Sequence, residues 1–159
     1  MTLALGIDPG TAICGFGLVE AQSGRLRPVR FGAITTDKQW PAEERLAVIY
    51  DELTSLIKEY GPVMMAVEQL FFNRNVTTAM TVGQARGVIL LAAAHRKIKV
   101  TEYTPLQIKQ AVTGYGNATK EQVTFMIQRL LGIKEKPKPD DAADALAAAI
   151  CALHFTGGG

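Results

Sequence analysis

The sequence predicts an α/β domain with a five-stranded mixed sheet and helices on both of its faces. Three observations carry that expectation. Residues 3–8, 15–22 and 26–36 read as consecutive strands with tight connections, hence an antiparallel meander. Residues 41–60 then place Leu46, Ile49, Leu53, Ile57 and Tyr60 on one helical face. After that helix, the short apolar runs at 64–69 and 99–104 alternate with helical segments, as parallel crossovers require.

The elements follow in the order β-β-β-α-β-α-β-α-α-α. A long helix over about 75–97 separates the fourth and fifth strands. Within it, Gly83 and Gly87 lie four apart, a small-residue seam that lets another helix approach, either within the chain or from a second subunit. The next helix starts at Pro105, a favourable first-turn residue. Another starts at Thr119, where Thr-Lys-Glu-Gln matches a capping box. The last follows Pro139 and runs from about Asp140 to Phe155.

The 159 residues suit one domain, expected over 1–156, with the glycines of 157–159 as a flexible tail. A hydrophobic share of 48% and a charged share of 20% are those of a globular chain, not a disordered one. No run of about 18 apolar residues is present, so no membrane span is expected. No signal-peptide pattern opens the chain, and Cys14 and Cys151 lack the spacing of a zinc site. A cytoplasmic location with reduced thiols is the resulting expectation.

The formal net charge is only +2, but its distribution is uneven. From Gln69 to Lys120 seven bases (Arg74, Arg86, Arg96, Lys97, Lys99, Lys109, Lys120) face one acid, Glu102. Between Pro41 and Tyr60 five acids (Glu43, Glu44, Asp51, Glu52, Glu59) face Arg45 and Lys58. One basic and one acidic side would suit a polyanion bound on a single face; two solvated helix faces would look the same.

The carboxylates are more pointed. In "LALGIDPG" an apolar strand ends in Asp8, which is costly to desolvate without a positive partner. Asp8 either caps the turn, as Asp does before Pro and Gly, or serves a metal ion. Glu68 ends "MMAVE" in the same setting, and "PDDAADALAAAI" gathers Asp140, Asp141 and Asp144 at a helix start. A cap and first-turn acids account for Asp140, but not for Asp144 before an apolar run. Crowded carboxylates raise one another's pKa unless a cation intervenes, and an all-oxygen donor set selects Mg²⁺ or Mn²⁺. Two such ions about 4 Å apart would stabilise both oxygens of a phosphodiester displacement. "GYGNATK" lacks the ending of a Walker motif. His95, His154 and Cys14 read as packing or surface residues.

At these residues a resemblance becomes specific. "GIDPGTAICGFGLVE", "AVEQLFFNRN", "GQARGV", "QIKQAVTGYGNATK" and "DDAADALAAAI" resemble, in order and spacing, the motifs of the RuvC family. These are bacterial Holliday junction resolvases with a ribonuclease H-like, integrase-type fold. The likeness runs from about Leu3 to Ala152. It implies a divalent-metal-dependent endodeoxyribonuclease whose four metal-binding acids fall on Asp8, Glu68, Asp141 and Asp144, leaving Asp140 as the cap. It also implies an aromatic at the opened junction on Phe71, although one of Phe71 and its neighbour Phe72 is expected to face inward and either could be that one, and DNA-contacting, catalytic lysines on Lys109 and Lys120. Arg74 and Arg86 join the expected DNA contacts. Lys120 sits in the first turn of its helix, where the dipole disfavours a cation, and that placement suggests use.

The resemblance further implies Mg²⁺, with Mn²⁺ as a substitute and two ions per site, four-way junction DNA as substrate, a homodimer, and the RuvA–RuvB branch-migration complex as partner. Symmetric nicks leaving 5′-phosphate and 3′-hydroxyl ends would serve recombination and repair. Three rival readings share parts of this pattern. A sugar-kinase or actin-like ATPase half-domain shares the pattern Gly-Ile-Asp-x-Gly-Thr, but that fold needs two domains and a longer chain. A non-catalytic junction-binding protein would be favoured by loss of an acid, and all four are present. Shorter RNA-trimming relatives agree less well around Glu68.

Overall fold

The computed structural model describes residues 1–69 and 76–157. Strands β1 (Thr2–Asp8), β2 (Ile13–Gln22) and β3 (Arg25–Thr35) form the antiparallel meander; β4 (Met64–Glu68) and β5 (Lys99–Tyr103) extend it in parallel. The sheet order is β3-β2-β1-β4-β5. Helices α1 (Ala42–Tyr60), α2 (Val76–His95), α3 (Pro105–Thr113), α4 (Lys120–Leu131) and α5 (Asp140–Gly157) complete the expected order.

The alternation of the strands divides the core. Leu5, Ile7, Phe16, Leu18, Met65 and Val67 point to one face and pack with Ile49, Leu53 and Ile89 of α1 and α2. Ala4, Val19, Ala66 and Tyr103 point to the other, against Ile108, Ile127 and the alanines of α5. Tyr50 and His95 join α1 to α2 through a hydroxyl–Nδ1 contact of 2.5 Å, and His154 Nδ1 lies 2.7 Å from the Ala111 carbonyl. Both histidines are exposed and tied down by these contacts, within the expectation of surface or packing residues. Cys14 is fully buried, and burial pushes its thiol up to about 12.

Glycine sets how closely α5 lies on the sheet. Gly6 of β1 pairs with Gly17 of β2, and Gly15 pairs with Asp8. A Cβ at Gly6 would come within 1.9 Å of the Ala145 carbonyl oxygen, and one at Gly15 within 2.1 Å of the Asp141 carbonyl oxygen. These glycines form a floor on which the α5 backbone rests directly. The small side chains Ala142, Ala145, Ala148, Ala149 and Ala152 are accordingly buried.

The structure revises several boundaries. β2 begins at Ile13, because Ile13 and Cys14 already pair with Thr35 and Ile34. α2 stops at His95, since Lys97 takes a left-handed conformation (φ 58°) in the turn to β5. Gly157 belongs to α5 rather than to a tail; one glycine costs a helix only about 1 kcal/mol, too little to end it. Asp140 is the first residue of α5 rather than its cap. The Gly83/Gly87 seam is not internal: both glycines are exposed, and a Cβ at either would meet open space. Among the described residues no helix is long and apolar enough to cross a membrane.

Candidate active site

β1 and β4 are adjacent and parallel, with Ile7 beside Val67, so Asp8 and Glu68 emerge side by side at the carboxyl ends of the two strands. Clefts outside such strand ends are where open α/β sheets bind ligands. The glycine floor brings the first turns of α5 over the same place, because Asp141 lies above Gly15, the partner of Asp8. Four carboxyl groups from three elements therefore meet at one sheet end.

The turn that follows Asp8 is clamped from both sides. Buried Thr11 donates to the Thr81 carbonyl of α2 at 3.1 Å, while Thr36 donates to the Thr11 carbonyl at 2.5 Å. Arg45 of α1 holds the Thr36 hydroxyl at 2.9 Å. Sequence reasoning missed Thr11, and no spacing rule identifies a threonine that acts only through distant backbone.

The electrostatics match the crowding. Asp8 is only 8% exposed. Burial, and then the charges of Asp144, Glu68 and Asp141, push its carboxyl from an ordinary 3.8 up to about 8. A side-chain hydrogen bond with Asp141 pushes it the same way, as the smallest contribution. Glu68 is pushed up to about 7 by burial and Asp144, while Lys109 and Lys120 pull it back. Asp144 is raised chiefly by burial, against the opposing pull of Lys120.

Lys109 of α3 and Lys120 of α4 line one cleft with Glu68, Asp144, Thr124 and Ile127. Capping boxes at both helix starts aim these helices: Thr104 with Gln107 for α3, and Thr119 with Gln122 for α4. The first was not anticipated, although Thr-Pro-Leu-Gln carries the signal. Lys120 Nζ lies 3.5 Å from Asp140 and 4.0 Å from Asp144, and Asp144 above all holds its ammonium charged. Those acids offset the unfavourable dipole at its position.

The other expected DNA contacts divide. Arg86 ion-pairs with Glu102 in a second cleft on the far side of Glu68, so its charge is partly neutralised. Phe71, Phe72 and Arg74 lie outside the described residues. Among the described residues the bases do not form a single side. Lys99 pairs with Met64 at the opposite end of β4 from Glu68, roughly 13 Å away at about 3.3 Å per residue, and Arg96 and Lys97 lie in the turn leading there. Sequence proximity had merged two ends of the sheet. The acidic α1 packs on the face away from Lys109 and Lys120.

Among the described residues no three His, Cys, Asp or Glu side chains are arranged to hold one ion. The donor set nevertheless fits a hard divalent cation, being all oxygen, partly buried and mutually repelling.

A β3-β2-β1-β4-β5 sheet with carboxyl groups at the ends of its middle strands places the chain in the ribonuclease H-like fold class. Residues 4–152 match the family model described as crossover junction endodeoxyribonuclease RuvC. The chain belongs to the RuvC family. Relatives of that name include one from Heliobacterium modesticaldum, 59% identical over 94% of this chain and 93% of that protein. One from Moorella thermoacetica is 58% identical over 96% and 92%. Among solved structures, T. thermophilus RuvC in complex with a Holliday junction substrate superposes with a TM-score of 0.95 at 36% identity, covering 98% of this chain and 95% of that one. The yeast mitochondrial resolvase Ydc2 shares the fold, with a TM-score of 0.74 at 12% identity over 98% and 79%.

Proposed function

We infer that this enzyme resolves four-way DNA junctions by two symmetric, metal-dependent phosphodiester nicks, leaving 5′-phosphate and 3′-hydroxyl ends, in recombination and repair. The observation that carries the reading is the convergence of Asp8, Glu68, Asp141 and Asp144 on one strand end, beside two lysines, in a chain of this family. The four acids would hold Mg²⁺, with Mn²⁺ as a substitute and two ions per site. The bound metal would supply Lewis-acid stabilisation of the attacking and leaving oxygens.

The chain's own residues do the rest. Asp8 would hold the cation as its ionised carboxylate, the form that burial and the neighbouring acids disfavour when no cation is bound. Lys120 orients the scissile phosphate and offsets its developing charge, and Lys109 does so from the neighbouring helix. Phe71 stacks on a base unpaired at the crossover, while Arg74 and Arg86 contact flanking phosphates.

A junction presents two like strands about a two-fold axis, so a homodimer with one centre per strand suits it. The open Gly83/Gly87 face of α2, continued by exposed Met80 and Leu91, is the candidate interface. The RuvA–RuvB complex would deliver the junction, in the cytoplasm.

Cleavage mapping on a synthetic mobile junction tests the reading. Nicks at symmetric positions, dependent on Mg²⁺ and absent from linear duplex, are expected, with no ATP binding. Equal cutting of linear duplex, or ATP binding without cleavage, would contradict it in favour of an unselective nuclease or an ATPase half-domain.

A further inference from the structure

Asp140 is not among the four acids, and its helix does not use it as a cap. Its two oxygens are nevertheless both engaged. Oδ2 lies 3.5 Å from Lys120 Nζ at the start of α4, and Oδ1 lies 3.7 Å from Lys136 Nζ in the segment leading to α5. The side chain is 57% exposed, so these pairs add little to stability. Lys136 faces one carboxylate oxygen while the other faces Lys120.

The other acid within ion-pair distance of Lys120 is Asp144, at 4.0 Å, while Asp141 and Glu68, two more of the four acids, act on it from farther off. Under the reading above, on which this inference rests, Asp144 carries a cation in the working enzyme, which repels the Lys120 ammonium. Among the described residues Asp140 is then the carboxylate left to hold Lys120 at the cleft it shares with Glu68. We propose that Asp140 is a positioning residue, which with Lys136 keeps the Lys120 ammonium aimed at the scissile phosphate while Asp144 is occupied.

An acid here has a cost that separates this role from DNA binding. The Asp140 carboxylate repels the incoming phosphates, so removing its charge should leave junction affinity unchanged or tighter while slowing the cut. A role confined to the helix start would instead alter folding and leave that split absent.

Single-turnover cleavage and junction Kd, measured in Mg²⁺ on the full chain, decide the matter. Asp140→Asn should cleave about five- to tenfold more slowly with Kd unchanged or lower, Asp140→Glu should recover most of the rate, and Asp140→Asn should slow the Lys120→Ala enzyme no further. If Asp140→Asn lowers the melting temperature, Asp140→Ser keeps an oxygen at the helix start and must show the same pattern. A wild-type rate for the neutral variant, or an equal loss in both Lys120 backgrounds, would overturn the proposal. A wild-type rate for Lys120→Ala itself would instead sink the role given to that lysine.

Discussion

Asp8→Asn is expected to lower the junction cleavage rate by about 10³-fold or more and to leave junction binding intact or tightened. A metal acting as Lewis acid is worth several kcal/mol, and each 1.36 kcal/mol is tenfold in rate. Asp8 sits where that loss is greatest, at the centre of the acidic group and 8% exposed. Its charge also opposes DNA when no metal is held, so the amide removes a repulsion. Binding rests on phosphate contacts elsewhere and should fall steeply with salt in both proteins. The measurement is a gel-shift titration in a chelator beside single-turnover cleavage in Mg²⁺. Parallel loss of binding and cleavage would mean that the acid is structural.

The second large effect concerns stability. Asp8 titrates at about 8 in the folded protein against 3.8 ordinarily, and Glu68 at about 7 against 4.5. Between about pH 4 and pH 8 the metal-free folded state therefore holds protons that the unfolded chain has released. Its stability falls as pH rises through that window and levels off above it. Mg²⁺ reverses the loss, because the ionised carboxylates then have a cation to hold. A ligand at one hundred times its Kd adds about 2.7 kcal/mol, or about 5–10 °C in a chain of this size. Thermal melts at pH 6 and pH 8, with and without Mg²⁺, check this. Asp8→Asn should raise the metal-free midpoint at pH 8 and shrink the Mg²⁺ shift. A wild-type midpoint that climbs from pH 6 to pH 8 without metal, or ignores Mg²⁺ at pH 8, would contradict the account.

Much of the architecture was legible because its signals are local. The meander, the Thr119 capping box and the helix after Pro139 follow from patterns a few residues long, and the helix boundaries moved by only one or two positions. The candidate acids were legible because a carboxylate at the end of an apolar strand conflicts with its surroundings, and Asp8 and Glu68 both do so. The assignment of Asp141 rather than Asp140 came from family resemblance, since spacing could not separate them. The structure supplies a physical reason: Asp141 rests over Gly15, while Asp140 turns out to Lys120 and Lys136.

What was not legible depends on contacts between distant segments. The glycines of β1 and β2 matter because α5, more than a hundred residues later, lies on them. Thr11 matters through the Thr81 carbonyl and through Thr36. The basic stretch from Gln69 to Lys120 was misread as one surface because it runs along β5, which carries Lys99 to one end of the sheet and leads to Lys109 at the other. Arg86 was counted as available, yet Glu102, the one acid of that stretch, is its partner.

The four carboxylates are expected to make one metal-dependent centre which acts in pairs on a junction. Cleavage of a supercoiled plasmid bearing an extruded cruciform tests it most directly, since two nicks within one encounter yield linear DNA, and separate nicks relax the cruciform and yield open circles. In Mg²⁺ the wild type should give linear product whose ends a ligase can seal, and Asp8→Asn should leave the plasmid supercoiled. Open circles as the main wild-type product, or linear DNA formed in the presence of a chelator, would contradict it.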